Sequence, residues 1–172
     1  MSKISLVLGG ARSGKSGFAE RLADATDRPK TYIATAQAFD VEMTARIAKH
    51  RFDRGPGWTT IEAPRDIIAA LKKADPTSVI LIDCMTLWLS NLLLAKADIA
   101  VETTRFLDHI ARIPNPVICV SNEVGMGLVP ENPLGREFRD AQGILNQRLA
   151  KRADLAVFIA AGLPLVLKGT LP

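Results

Sequence analysis

The stretch Lys3-Ile-Ser-Leu-Val-Leu-Gly-Gly-Ala-Arg-Ser-Gly-Lys-Ser16 decides the fold of this chain. Its first half is a short apolar run, typical of a buried strand, and it leads directly into the pattern Gly-x-x-x-x-Gly-Lys-Ser over residues 9–16. Glycines let the backbone turn so that several N–H groups point inward, and the helix predicted to follow adds the positive end of its dipole. Both features favour an anion, so the stretch predicts a phosphate-binding loop.

Two side chains at the end of this loop and one further along the chain extend the prediction. Lys15 would supply a mobile cation for the outer phosphates of a nucleotide, and the Ser16 hydroxyl is placed to bind the Mg²⁺ that bridges them. The apolar run Val79–Ile82 ends at Asp83, where ligands bind in open parallel sheets, so Asp83 is a candidate second metal ligand. The alternative is that Asp83 caps the next helix.

Apolar runs typical of strands alternate with helical patterns along the whole chain, and a turn at Gly162 leads into a final edge strand. This alternation predicts an α/β fold, a three-layer sandwich like that of P-loop NTPases, with a mostly parallel central sheet. The predicted strands are Ile4–Leu8, Thr31–Thr35, Val79–Ile82, Pro116–Ser121 and Leu155–Ala160. The predicted helices are 16–26, 40–54, 64–74, 86–96, 102–113 and 134–152, the last with an apolar stripe from Leu134 to Leu149.

Composition limits the size of the domain and the class of ligand. With 172 residues, 48% of them hydrophobic, residues 1–172 are long enough for one domain with a substantial core and too short for two comfortable ones. The net charge of +4 is spread along the chain without a run of five basic residues, and aromatic residues make up only 5%. Both properties favour an anionic small molecule over nucleic acid.

The two cysteines and the apolar segments give expectations about compartment. Cys84 and Cys119 each lie in an apolar run, which is typical of buried free thiols. The apolar run in Met1–Leu8 is too short for a signal peptide, and polar residues interrupt the hydrophobic window Val79–Ala95. We therefore expect no membrane span and a cytoplasmic protein.

A second cluster of chemically useful residues lies in the helix predicted over 40–54. Arg46, His50 and Arg54 are spaced four residues apart, so two guanidinium groups would flank one imidazole on a single helix face. Such cations favour the neutral, nucleophilic imidazole and also attract a polyphosphate to it. However, Met43 and Ile47 share apolar helical spacing with His50, and this spacing alone favours a structural histidine.

Several motifs, in order along almost the whole chain, resemble the bifunctional adenosylcobinamide kinase / adenosylcobinamide-phosphate guanylyltransferases of cobalamin biosynthesis. They are Gly9-Gly-Ala-Arg-Ser-Gly-Lys-Ser16, Tyr32-Ile-Ala-Thr35, Arg46-Ile-x-x-His50, Asp83-Cys-x-Thr-Leu-Trp-Leu-Ser-Asn91, Asn122-Glu-Val-Gly-Met-Gly127, Val129-Pro-Glu-Asn-Pro-Leu-Gly-Arg-Glu-Phe-Arg-Asp140 and Asn146-Gln-Arg-Leu-Ala150. The segment Arg54-Gly-Pro-Gly-Trp58 departs a little from the family pattern, which affects the expected loop contacts.

The resemblance implies two reactions. ATP or GTP would phosphorylate the hydroxyl of the aminopropanol arm of adenosylcobinamide, and GTP would then donate GMP to that phosphate. In the family the GMP rests on a histidine, and the matching residue here is His50, which reverses the preference based on spacing. The resemblance also implies Mg²⁺ and a homo-oligomer, typically a trimer, to which the apolar helix 86–96 would contribute.

Two catalytic residues, His50 and Lys15, and a larger set of nucleotide-binding residues follow from the resemblance. The nucleotide-binding set is Gly9, Gly10, Ala11, Arg12, Ser13, Gly14, Lys15, Ser16, Ala34, Thr35, Ala36, Arg51, Phe52, Asp53, Arg54, Glu62 and Cys84. Glu62 also has a physical rationale, because a carboxylate can accept hydrogen bonds from both N1–H and the 2-amino group of guanine. The alternative for Glu62 is a solvent-facing residue after a strand.

Some residues and some functions remain open at this stage. Asn122 and Glu123 follow a predicted strand and would orient the corrinoid arm, a nucleotide or a water, while His109 has no ligand-like neighbours and is interpreted as structural. Two other functions fit a phosphate loop. One is a small-molecule kinase without guanylyl transfer, and the other is a RecA-like ATPase or switch module, which the scattered charge disfavours.

Overall fold

The computed structural model describes residues 3–38 and 41–172, without the side chains of Glu42, Arg46 and Asp53. The strands are β1 (Ile4–Gly9), β2 (Lys30–Ala34), β3 (Trp58–Glu62), β4 (Val79–Asp83), β5 (Val117–Asn122), β6 (Leu155–Ala160) and β7 (Leu163–Lys168). The helices are α1 (Lys15–Asp24), α2 (Val41–Arg54), α3 (Ile67–Lys73), α4 (Met85–Leu94), α5 (Ile99–Arg112) and α6 (Pro133–Arg152).

The seven strands form one sheet in the order β3-β2-β4-β5-β1-β6-β7. Every neighbouring pair is parallel except β6 and β7, which are antiparallel. The predicted α/β class with a mostly parallel sheet is therefore confirmed. Because β4 and β5 lie between β2 and β1, the carboxyl ends of these four strands meet at one edge, where parallel sheets bind their ligands.

Alternating side chains of the strands enter two separate apolar clusters, one on each face of the sheet. In β1, Leu6 belongs to the cluster covered by α3, α4, α5 and α6, whereas Val7 belongs to the cluster covered by α1. Both side chains are fully buried. The buried strands have helices on both faces, which explains why they read as continuous hydrophobic runs.

The predicted helices and five predicted strands match the structure to within a few residues, but β3 was not predicted as a strand. Trp58–Glu62 is only partly buried because it forms the edge of the sheet beside β2. The predicted apolar stripe of α6 was wrong at its start, since Leu134 is 52% exposed. Further along the helix the polar Gln142 is fully buried.

The helix expected to contribute to a subunit interface buries its apolar face within its own chain. Met85, Trp88 and Leu89 of α4 are at most 2% exposed, and the helix packs against α6 and β5. The exposed apolar side chains include those of β7, all six of whose residues are exposed. Among the described residues, no helix has the length and hydrophobicity needed to cross a membrane.

Candidate active site

A cavity of about 550 Å³ opens at the carboxyl ends of β2, β3, β4 and β5, between α1 and α2. It brings together residues that are far apart in the sequence. Ten of the predicted site residues line it: Lys15, Ser16, Ala34, Ala36, His50, Arg51, Arg54, Glu62, Asp83 and Cys84. Lys15 and Ser16 of the phosphate-loop motif, the histidine helix and the predicted guanine reader therefore face one common space.

The phosphate loop has a backbone that only glycine fits at its ends. A Cβ on Gly9 would lie 2.7 Å from the carbonyl oxygen of Ile159, so a larger residue would push the loop away from β6. Gly14 adopts a φ of 92° at the start of α1, a conformation that L side chains rarely adopt. The Gly162 N–H donates to the Ser13 carbonyl at 2.9 Å, so the turn between β6 and β7 supports the loop.

Lys15 and Ser16 begin α1 directly after the loop and both line the cavity. The Lys15 ammonium donates to the Gly10 carbonyl at 3.1 Å. The first N–H groups of a helix lack intrahelical acceptors and attract anions, which here adds to the charge of Lys15. This end of the cavity is therefore suited to polyphosphate.

Asp83 ends β4 and faces the same end of the cavity. It is not the cap of α4, because Cys84 occupies that position and makes no side-chain cap bond. Tyr32 is buried near Asp83, and burial, followed by the nearby Asp83 charge, raises the pKa of Tyr32 far above its usual value. The tyrosine therefore stays protonated and adds no second negative charge beside Asp83.

A hydroxyl joins the ends of β2 and β4 behind the cavity. Thr35 is fully buried, and its Oγ1 donates to the Cys84 carbonyl and accepts from the Cys84 N–H, both at 2.8 Å. Asn91 of α4 donates to the carbonyls of Thr35 and Pro64 at 2.9 and 2.8 Å. These bonds fix the main chain on which Ala34 and the other cavity residues of this segment lie.

Cys84 lines the cavity but is not a nucleophile at neutral pH. Burial, followed by the nearby Asp83 carboxylate, raises the pKa of its thiol to about 11. Cys119 lies in β5, and burial raises its pKa to about 12. Both cysteines are free and buried, as predicted.

His50 lies on α2 and is exposed at the cavity. Met43 and Ile47, the residues that share its apolar spacing, also line this cavity and are only partly buried. The helix face that carries His50 therefore turns toward the cavity and not into the core. The side chain of Arg46, the first member of the predicted Arg-His-Arg series, lies outside the described residues.

Arg54 is held by β2 and β3. Its guanidinium lies 3.6 Å from the ring centroid of Tyr32 and donates to Thr60 Oγ1 at 2.8 Å. The stacking of a cation on an aromatic face is favourable, particularly where the pair is shielded from water. Its Nε is buried without a hydrogen-bond partner among the described residues.

Arg51 and Glu62 form an ion pair at the entrance of the cavity. The distance between Arg51 Nη2 and Glu62 Oε1 is 2.7 Å, with the side chains 53% and 70% exposed. A pair this exposed contributes little to stability, because water competes for both charges. The second carboxylate oxygen of Glu62 is not used by this ion pair. The exposure of Glu62 agrees both with a nucleotide contact and with the alternative of a solvent-facing residue.

The predicted nucleotide-binding residues that are described but do not line the cavity are Gly9, Gly10, Ala11, Arg12, Ser13, Gly14, Thr35 and Phe52. Phe52 is 85% exposed and does not line it. The side chain of Asp53 lies outside the described residues. The sequence reasoning also left out Thr60, which lies on β3 and bonds Arg54. A prediction of β3 would have led to Thr60, because residues two positions apart in a strand share a face and Thr60 lies two positions before Glu62.

Asn122 and Glu123, whose roles the sequence left open, behave differently. Asn122 lines the cavity at the end of β5. The Glu123 carboxylate accepts from the N–H groups of Gly125 and Met126 at 2.6 and 3.1 Å, so it organises its own loop. His109, interpreted as structural, lies on α5, where burial lowers its pKa.

A phosphate loop after β1, an acidic residue after β4 and a nucleotide-sized cavity between them define a P-loop nucleotide-binding protein. The sequence profile described as "Cobinamide kinase / cobinamide phosphate guanyltransferase" matches residues 5–167. This chain belongs to that family.

Curated relatives extend over nearly the whole chain. The "Bifunctional adenosylcobalamin biosynthesis protein CobP" of Pseudomonas aeruginosa is 46% identical over 167 residues, covering 95% of this chain and 96% of that protein. The "Bifunctional adenosylcobalamin biosynthesis protein CobU" of Salmonella typhimurium is 42% identical over 181 residues, covering 95% of this chain and 98% of that protein.

Solved structures share the fold at low sequence identity. A prototypical ATPase from the type III secretion system of pathogenic bacteria superposes with a TM-score of 0.55 at 12% identity, over 95% of this chain. This chain spans about half of that ATPase, 56% of its length. The likeness confirms the P-loop NTPase fold and nothing finer.

Proposed function

We propose that this chain catalyses two successive transfers to one corrinoid. It first phosphorylates the hydroxyl of the aminopropanol arm of adenosylcobinamide with ATP or GTP. It then transfers GMP from GTP to the new phosphate, which gives adenosylcobinamide-GDP and pyrophosphate. The observation that carries the proposal, beside membership of the family, is that His50 and the phosphate-loop residue Lys15 line the same cavity.

In the kinase reaction, the substrate hydroxyl oxygen forms a bond to the γ-phosphorus, the bond from that phosphorus to the bridging oxygen breaks, and the nucleoside diphosphate leaves. The hydroxyl proton is released to solvent. No protein nucleophile is needed, because phosphoryl transfer depends mainly on positioning and on stabilising charge. Lys15 and the N–H groups of the loop residues Gly9–Gly14 hold the outer phosphates in this reaction.

In the guanylylation, an imidazole nitrogen of His50 attacks the α-phosphorus of GTP and pyrophosphate leaves. The resulting phosphoramidate bond then breaks when a phosphate oxygen of the corrinoid attacks the same phosphorus, and the imidazole is regenerated. Arg51 and Arg54 lie at the same cavity wall and stabilise charge on the non-bridging oxygens.

Ser16 and Asp83 fit Mg²⁺ by the chemistry of their donors. Both present oxygen atoms, a hydroxyl and a carboxylate, to the same end of the cavity. Mg²⁺ in kinases is typically held by one or two such protein oxygens together with substrate phosphates. When bound, it would neutralise charge on the phosphates.

Glu62 is the proposed guanine reader. Its carboxylate faces the cavity next to Arg51 and can accept from the two guanine donors, which adenine does not offer. Ala34, Thr35, Ala36 and Cys84 would contact the nucleotide as well, and Phe52 and Asp53 are proposed only from the family pattern. We further propose a single domain that works as a cytoplasmic homo-oligomer, with a trimer as the expected state.

The test is incubation of the purified protein with GTP, Mg²⁺ and adenosylcobinamide, followed by mass spectrometry of both the corrinoid and the protein. The expected products are adenosylcobinamide phosphate, adenosylcobinamide-GDP and a protein carrying one GMP. Phosphorylated corrinoid without GMP on either species would instead identify a small-molecule kinase. Nucleotide hydrolysis with an unmodified corrinoid would indicate a RecA-like ATPase.

A further inference from the structure

Asn122 is the last residue of β5, and its side chain lines the cavity together with Lys15, Ser16 and Asp83. Within the described chain, the hydrogen bonds of Asn122 are made by its main chain. Its carboxamide therefore presents two N–H donors and one acceptor to the cavity. A neutral donor at this position has no role in the mechanism derived above.

The main chain of Asn122 is fixed from both sides. Its N–H donates to Thr86 Oγ1 of α4 at 2.8 Å, and its carbonyl accepts from Asn146 Nδ2 of α6 at 3.1 Å. In the sheet, Asn122 is paired in register with Gly9, the first glycine of the phosphate loop. These contacts give the side chain a defined direction relative to the loop.

Behind Asn122, a buried polar network connects β5 to α6. Gln142 Nε2 donates to Ser121 Oγ at 2.9 Å and to Asn146 Oδ1 at 3.0 Å, and Ser121 Oγ donates to Asn146 Oδ1 at 2.7 Å. Gln142 and Ser121 are both fully buried. This network holds Asn146, which in turn holds the Asn122 carbonyl.

A contribution to the stability of the folded state does not explain why this position is polar. Gln142 Oε1 is buried with no partner among the described residues, and a buried polar atom without a hydrogen bond destabilises the folded state. A leucine at this position would continue the apolar stripe of α6 formed by Leu145 and Leu149. Local rules broken in this way are typical of functional sites.

The position of β5 in the sheet indicates which phosphate Asn122 would contact. β5 lies between β4, which carries Asp83, and β1, which leads into the phosphate loop, whereas Glu62 lies on β3 at the sheet edge. Strands are spaced about 4.8 Å apart, so β5 and β3 are separated by roughly 14 Å. Asn122 therefore lies at the end of the cavity where the outer phosphates bind, away from Glu62.

We propose that the Asn122 carboxamide donates a hydrogen bond to a non-bridging oxygen of the γ-phosphoryl group during the kinase reaction, and that Gln142, Ser121 and Asn146 position it. This inference rests on the proposed function. Asn122 takes up no proton and forms no covalent bond. Its N–H donor stabilises the charge on the phosphoryl oxygens as the bond to the leaving diphosphate breaks. Guanylyl transfer to His50 takes place at the α-phosphorus and does not require it.

The first test compares both reactions in Asn122→Ala and in the isosteric Asn122→Asp. For Asn122→Ala we expect the kcat of adenosylcobinamide phosphorylation to fall about 100-fold, the effect of losing one transition-state donor. The KM for ATP should change less than about threefold, because a contact strengthened in the transition state affects kcat. Asn122→Asp should be at least as slow, since its carboxylate repels the phosphate. The rate of protein-bound GMP formation from α-labelled GTP should stay within about threefold in Asn122→Ala, which adds no charge.

The second test addresses the positioning residues. Gln142→Leu breaks the network without creating a cavity, and Gln147→Leu makes the same change on the exposed side of α6 as a matched control. We expect Gln142→Leu to lower the kinase kcat roughly 10-fold while its thermal unfolding midpoint is unchanged or raised. Gln147→Leu should retain wild-type kinetics.

Each outcome is decisive. Equal losses of phosphorylation and GMP adduct in Asn122→Ala, or unchanged phosphorylation in either Asn122 variant, would overturn the inference. If Asn122→Ala does not fold, Gln142→Leu carries the same comparison of phosphorylation with GMP adduct formation. A wild-type protein that does not phosphorylate adenosylcobinamide would refute the proposed function instead, so the two failures are distinguishable.

Discussion

The two ends of the cavity are built in different ways. At the phosphate-loop end, Gly9 and Asn122 lie in strands at the centre of the sheet, and the main chain is fixed by buried hydrogen bonds. At the other end, Arg51 and Glu62 are exposed side chains on α2 and on an edge strand. The proposed phosphate site, which serves a part that all nucleotides share, is therefore built on main chain that is fixed in the sheet. The proposed guanine recognition and GMP transfer depend instead on side chains at the surface.

The largest expected effect comes from a substitution that leaves the phosphate-loop end of the cavity unchanged. His50→Ala should abolish the protein-bound GMP and all guanylyl transfer, because it removes the proposed nucleophile, and it should leave phosphorylation of adenosylcobinamide measurable. The assay is incubation with α-labelled GTP, denaturation, and counting of bound label before and after mild acid. His109→Ala on α5 is the control and should keep the adduct. An undiminished, acid-stable adduct in His50→Ala would contradict the phosphohistidine mechanism.

The next effect comes from the phosphate end and should reach both reactions. Lys15→Ala should lower the rates of phosphorylation and of GMP adduct formation by about 10²–10³-fold, because both need the cation that stabilises the outer phosphates. Steady-state kinetics with ATP and single-turnover labelling with GTP measure the two rates. The control is Lys73→Ala, an exposed lysine of α3. A loss confined to one reaction would mean that the two reactions do not share this end of the cavity.

A smaller effect concerns selectivity. Glu62→Gln should reduce the preference for GTP over ATP by about 1–3 kcal/mol, because the amide presents one acceptor where the carboxylate presents two. Competition binding of the two nucleotides measures it, and Glu137→Gln on the exposed face of α6 is the matched control. Unaltered selectivity in a folded Glu62→Gln protein would assign guanine recognition to other groups.

The smallest effect is on stability. Arg51→Ala should change the free energy of unfolding by no more than about 1 kcal/mol, since the Arg51–Glu62 pair is exposed to water. Urea denaturation of Arg51→Ala, Glu62→Ala and the double variant gives the coupling energy of the pair. A coupling well above this value would mean that the exposed end is as rigid as the phosphate end.

The phosphate-loop end could be predicted because its signals are local. The strand, the glycines and the first helical turn are consecutive in the sequence. Unbroken apolar runs such as Val79–Ile82 predict the buried strands. Asp83 follows such a run, so its place at the carboxyl edge follows from the parallel sheet.

The other features depend on contacts that no local pattern encodes. Trp58–Glu62 contains only partly buried and exposed residues and no regular alternation, and an edge strand of this kind is held mainly by its pairing with β2. Gln142 is polar and lies in an otherwise apolar helix face, so its burial follows only from Ser121, which is 21 residues away. The ion pair of Arg51 with Glu62 likewise requires the overlooked strand.

The hydrogen bond from the Gly162 N–H to the Ser13 carbonyl has a consequence for engineering. The hairpin of β6 and β7 supports the phosphate loop, although neither of its strands lines the cavity that contains Lys15 and Ser16. New chain ends opened at the β6–β7 turn, or a truncation after β6, would release the loop from its support. A fusion partner is therefore better attached beyond Lys168, where the hairpin is complete.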